Sequence, residues 1–330
     1  MKKAATLIAL ALGALSLSAC SAPTENTEGL SIVATTTQVT EFTSTIVGSE
    51  GTVTGLIQPN QSAHSFDPSA KQLLQLSQAD AVVMNGADLE PWLQDALDAA
   101  NFSGEIIDAS TGIELLAAGE SEEDHAGHAE DEHNHGEGDP HVWTSPANAE
   151  VMVSNIAAGL SALPEVTDQM KASFEANATS YNQQLTILDE WIVANFAQVP
   201  ETQRLLVTNH DAFTYFVHAY GITFLGSIIP SFDDNAEPSA AELDALIALI
   251  EESGASAVFS ESSISPKLAE TIATEAGVKV YSGDDALYSD SLGVAGSAGE
   301  TYIKATIHNV TKLMEAWGYL VLPVPAELTS

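Results

Sequence analysis

The sequence is poor in cysteine and in basic residues. Of its 330 residues one is a cysteine, Cys20, so an intrachain disulfide is impossible and the fold must stand on a hydrophobic core. Nine Lys and Arg face 46 Asp and Glu, for a formal charge of −37. Such a field repels nucleic acid and anionic ligands and argues against both. It favours cations in a general way, although acids spread over a surface also suit a salty or acidic habitat. Beyond the first twenty residues, no apolar run is long enough to span a bilayer.

What is present begins with an address. MKKAATLIALALGALSLSAC has a basic start, a short apolar run and small residues before a cysteine, the pattern of a secretory signal peptide over 1–19. Leu17-Ser18-Ala19-Cys20 resembles the lipobox of bacterial lipoproteins, which implies lipidation of Cys20 as the new N-terminus. Residues 20–29 then read as a flexible tether. Loss of Lys2 and Lys3 would leave 46 acids against 7 bases. Some 300 mature residues are ample for two domains.

Two blocks of alternating strand and helix flank a helical middle. In the first, SIVATTT, GTVTGLI and AVVMNG are strands, with helices over 39–47, 71–77 and 91–99. In the second, RLLVTN, ITFLGSI, ASAVFS and VKVYS alternate with helices over 212–221, 239–253, 266–276 and about 298–317. Apolar runs without strict alternation suit parallel strands buried on both faces. The fold class is therefore α/β, with ligands expected at the carboxyl ends of strands. Residues 148–163 form one helix, and 165–197 form a single long one of about 45 Å at 1.5 Å per residue. The expected organisation is a lobe over 30–164, a linking helix over 165–197 and a lobe over 198–330. So long a helix is a stiff connector that resists wide hinge closure.

The stretch EEDHAGHAEDEHNHGEGDPHVW holds five histidines in 22 residues. Most of it, 119–138, has no apolar periodicity and reads as a loosely ordered acidic insertion. His125, His128, His133 and His135 are expected to capture metal weakly there. His141 stands apart, behind Asp139-Pro140 at the mouth of the insertion. His64 in QSAHSFDPSA and His210 in LLVTNHDAF also sit just beyond strands. Three imidazoles at the tops of separate elements are what a metal held in an interlobe cleft requires. For a fourth, oxygen ligand, YSGDDALYSDSLG offers Asp284, Asp285 and Asp290, and FSESSIS offers Glu261 as a supporting or alternative donor. His218 and His308, within helices, read as surface or packing residues.

The motifs AHSFDPS, DPHVWTSP, NHDAFTYFVHAYGI, AEPSAAEL and LYSDSLG, in that order, resemble the cluster A-I metal-binding lipoproteins of bacterial ABC importers. The resemblance covers nearly the whole mature chain. It implies His64, His141, His210 and Asp290 as the four metal ligands, with Glu261 or Asp285 as alternatives to Asp290. It further implies two α/β lobes bridged by one rigid helix. The protein is then a monomer on the outer face of the cell membrane, working with a permease and its cytoplasmic ATPase.

Three imidazoles and one carboxylate suit Zn²⁺, whereas manganese prefers more oxygen donors. Zinc is the expected cargo, with Mn²⁺ or Fe²⁺ as the alternative. Affinity is expected to fall below the ordinary imidazole pKa of about 6.5. A zinc hydrolase would keep an open water position, and no HExxH motif is present. An adhesin or passive surface metal buffer of the same fold is the other competing class. The chain is read as a non-enzymatic importer component.

Overall fold

The computed structural model describes residues 29–117 and 138–329. The signal segment, Cys20 and the four histidines between 125 and 135 lie outside these described residues.

The first half is a parallel sheet. β1 (Leu30–Ala34), β2 (Gly51–Gly55), β3 (Ala81–Met84) and β4 (Glu105–Asp108) pair in the order β2-β1-β3-β4. Alternate residues of the two central strands face opposite sides. Ile32, Ala34, Ala81 and Val83 enter one core, while Val33 and Val82 enter another. Both faces are buried, which is why these strands read as continuous apolar runs.

Helices return the chain between strands. α1 (Thr37–Val47) is capped by Thr36, whose side chain accepts from the Val39 N–H. α2 (Ala70–Ser77) starts with a reciprocal capping box between Ser69 and Gln72. α3 (Leu93–Ala100) packs beside α2 and shares its apolar cluster. α4 (Pro146–Ser161) opens with proline in its first turn, where no N–H is needed.

α5 (Asp168–Phe196) has 29 residues, about 43 Å of helix, and is capped by Thr167. Phe174, Ala178, Tyr181, Leu185, Leu188 and Ile192 recur at intervals of four and three, so one stripe is buried along its length. The stripe packs against α1 and α4 and, farther on, against α9 (Tyr302–Trp317). One helix thus contacts both halves.

In the second half, β5 (Leu205–His210) pairs in parallel with β6 (Thr223–Ile229), and β7 (Ala257–Phe259) pairs with β8 (Lys279–Tyr281). A bulge falls between Leu206 and Val207, and Gly226 opposite Val207 adopts φ +141°, a conformation that only glycine takes readily. α6 (Thr214–Tyr220), α7 (Ala240–Ser253) and α8 (Lys267–Glu275) complete this half. Val207, Ile228, Leu246, Ile250, Val258 and Ile272 form its separate apolar cluster.

Two expectations are corrected. The last helix begins at Tyr302 and not near 298, because residues 293–299 close a turn through the Gly293 N–H to Gly299 O bond (2.7 Å) and Thr301 caps the helix. β4 was not expected. Its four residues, EIID, have an exposed start and too little length to show a pattern.

Candidate metal centre

Four side chains from distant parts of the chain converge. His64 lies in the loop between β2 and α2, where the Trp92 indole N–H donates to Ala63 O (3.2 Å) and fixes the adjacent backbone. His141 follows Pro140 just before α4. His210 is the last residue of β5, and Asp290 lies in the loop between β8 and α9. Three of the four thus follow parallel strands, where such folds gather ligands.

The donor atoms lie within 4.8 Å of one another. His64 Nε2 is 3.1 Å from His141 Nε2. The Asp290 carboxylate lies 3.2 Å from His141 Nε2, 3.2 Å from His210 Nε2 and 3.5 Å from His64 Nε2. His141, His210 and Asp290 are fully buried, whereas the His64 side chain is 10% exposed.

Two of the rings are held from behind by carboxylates. Asp139 Oδ1 accepts from the His141 backbone N–H (2.8 Å) and meets ring Nδ1 at 2.6 Å. Glu261 Oε1 accepts from the His210 backbone N–H (2.9 Å). Its Oε2 lies 2.7 Å from His210 Nδ1, an ion-pair contact with poor hydrogen-bond direction. These contacts turn both Nε2 atoms toward the shared centre, the usual service of an outer carboxylate to a ligating histidine. The sequence reading did not single out Asp139 for this contact. Its position two residues before His141, across a proline, was the available signal.

Electrostatics in the cluster favour held protons. Burial alone would push His141 down, but Asp139 and Asp290 together raise it to about 9. His210 is raised well above its ordinary value, with Glu261 and Asp290 outweighing burial. Burial would raise Asp290, yet His210 and His141 hold it well below the usual carboxylate range. A divalent cation carries the charge of the two protons it would displace here.

The alternative oxygen donors do not join the cluster. Asp285 instead meets Lys312 Nζ of α9 at 2.8 Å, and that contact lowers its pKa. Glu261 stands behind His210 and is not among the four converging donors. His308 Nε2 lies 3.0 Å from Ala286 O within the packed base of α9, and His218 is exposed on α6. No helix among the described residues is long and apolar enough to cross a membrane.

Comparison with known proteins agrees with this architecture. A relative, the zinc-binding lipoprotein AdcA of Streptococcus pneumoniae, is 35% identical over 318 residues, covering 96% of this chain. The chain spans 61% of that relative's length. The manganese-binding lipoprotein MntA of Halalkalibacterium halodurans is 28% identical over 314 residues, 94% of this chain and 97% of the relative. Among solved structures, the periplasmic zinc-binding protein TroA of Treponema pallidum superposes with a TM-score of 0.76 at 26% identity, over 88% of this chain and 99% of that one. The family described as zinc-uptake complex component A, periplasmic, matches residues 32–316, and the chain belongs to this ZnuA family.

Proposed function

We propose that the protein is the extracytoplasmic binding component of an ABC importer, which captures Zn²⁺ through His64, His141, His210 and Asp290 and delivers it to a membrane permease. The observation that carries this reading is the donor cluster: three imidazole Nε2 atoms and one carboxylate, nearly all buried, two of the rings backed by carboxylates. Tetrahedral zinc with bonds of about 2.0–2.1 Å has donor–donor edges of about 3.3 Å. Four distances in the cluster, to one or other Asp290 oxygen and between His64 and His141, run from 3.1 to 3.5 Å, and all four donors lie within 4.8 Å of one another. Four protein donors leave no place for the bound water a zinc hydrolase needs, so we read the chain as a carrier and not an enzyme.

The rest of the reading follows from this role. Lipid on Cys20 would tether the chain to the outer face of the membrane, in keeping with relatives named as lipoproteins. Residues 30–164 and 198–330 would act as two lobes about the helix over 165–197. The histidines at 125, 128, 133 and 135 would serve as a weak accessory store. Manganese is the second reading, supported by the manganese-binding relative that the chain matches over nearly its full length.

Metal analysis of protein purified without added metal, then direct competition between zinc and manganese, tests the assignment. One zinc per chain, retained against excess manganese, is expected. Preference for manganese, or no bound metal in His64→Ala and His141→Ala controls and wild type alike, refutes it.

A further inference from the structure

The loop that carries Asp290 belongs by sequence to the second half, yet much of its backbone is bonded to the first. On its own side it is held through the Tyr288 N–H to Asn309 Oδ1 (2.8 Å) and through the Ser289 hydroxyl to Glu261. From Ser289 O onward the partners change. Ser289 O accepts from Gln38 Nε2 (2.9 Å) and from the Trp143 indole N–H (3.1 Å). The Leu292 N–H donates to Thr37 Oγ1 (2.8 Å), and the Asn60 N–H donates to Ser291 Oγ (2.7 Å).

Thr37 and Gln38 therefore grip the chain on both sides of Asp290. They are the first two residues of α1, beyond its Thr36 cap, and both are buried. The Thr37 hydroxyl also donates to Gln38 Oε1 (2.9 Å), which orients the amide so that its N–H₂ meets Ser289 O. Glutamine and threonine are poor choices for a buried helix face unless every polar atom is used, and here the pair is engaged across the seam.

We propose that Thr37 and Gln38 are positioning residues for the metal site: they clamp the Asp290 loop across the seam between the two halves and so set the rate at which the cation is released. The proposal rests on the zinc-capture reading above. Asp290 is the one donor close to all three imidazoles, at 3.2–3.5 Å, so a shift of its backbone loosens every side of the cluster together. A cavity of about 30 Å³ lies behind the clamp, lined by Gln38, Trp143, Ser289, Tyr302, Thr306 and Asn309. That is room for about one water molecule beside the clamp, in an interior otherwise close-packed. Release would then need only the clamp to part, which suits a molecule whose long α5 resists a wide hinge motion.

Zinc dissociation into excess chelator, followed by stopped flow, tests the clamp in the full chain. Thr37→Val removes the acceptor for Leu292 and the partner of Gln38 at nearly constant volume, and Gln38→Leu removes the amide alone. Each is expected to speed dissociation about tenfold or more, the scale of losing one buried hydrogen bond. Each should also weaken the visible absorption of the Co²⁺-loaded protein, which reports a four-coordinate sphere, while the metal-free melting temperature moves little. Thr37→Ser keeps the hydroxyl and should restore both the rate and the spectrum. Dissociation within about twofold of wild type, or equal loss in Thr37→Ser, overturns the clamp alone. A wild type that binds no zinc overturns the capture reading and the clamp with it.

Discussion

Asp139→Asn separates what the carboxylate behind His141 does for zinc from what it does for protons. Oδ1 takes two bonds from His141, at 2.8 and 2.6 Å, while the buried Oδ2 has no partner. The substitution keeps the shape and the Oδ1 acceptor and removes the charge. An outer carboxylate on a ligating imidazole is worth roughly 10–100-fold in metal affinity, about 1.4–2.8 kcal/mol. The deficit is expected to be largest at pH 9, the alkaline end of the range, where proton competition at His141 is weakest.

At lower pH a second effect opposes the first. In the metal-free protein burial lowers His141, but Asp139 and then Asp290 more than reverse it, to about 9. At pH 7 zinc must therefore displace a proton that His141 holds more tightly than an ordinary imidazole would, which works against binding. Because the folded, metal-free state binds this proton and the zinc-bound state does not, zinc affinity falls as pH drops below about 9. This is a higher window than the ordinary imidazole value implies. Asp139→Asn weakens the grip on the proton as well as on zinc. The variant's profile should be shallower, and its deficit smaller at pH 7 than at pH 9. Competition against a chelator of known affinity from pH 6 to 9, corrected for chelator protonation, measures both slopes. Parallel profiles, or a deficit below about threefold at pH 9, refute the reasoning.

Deleting residues 118–137 and bridging 117 to 138 with a short Gly-Ser turn should leave one tight zinc per chain and abolish weaker equivalents, as read by titration calorimetry. The base of that segment is closed by the Asp139 N–H to Leu116 O bond (2.7 Å), with the Tyr215 hydroxyl donating to Asp139 O (2.6 Å) and accepting from the Leu116 N–H (3.2 Å). Loss of the tight site would show that His141 depends on the deleted residues. His64→Ala should cost more affinity than the roughly 10–100-fold of a supporting carboxylate, because a donor itself is removed. A smaller loss in the same chelator competition would remove His64 from the donor set.

Much of the fold was legible because its signals are local. Buried parallel strands show as short apolar runs, while the long helix, read from 165, begins at Asp168 because Thr167 caps it. The stripe of α5 is a period that packing merely had to honour. Where the local signal was weak the reading missed, as at the four-residue β4 and at the true start of α9, which a tertiary turn delays to Tyr302.

The sequence by itself determined the α/β class, the positions of three histidines just beyond strands or at the edge of the acidic segment, and the strongly anionic character that favours a cation. The family resemblance pointed to Asp290 as the fourth donor, but why that acid and not its neighbours meets the imidazoles is visible only in the tertiary structure. Asp284, Asp285 and Asp290 are chemically identical within seven residues, and spacing cannot rank them. Packing separates them: Lys312 of α9 takes Asp285, while bonds from Thr37, Gln38 and Trp143 carry Asp290 to the imidazoles. The contacts of Asp139 with His141 and of Glu261 with His210 likewise appear only in the tertiary structure. A donor set depends on distances of a few ångströms among residues 64, 141, 210 and 290, and such distances are fixed by how whole elements pack.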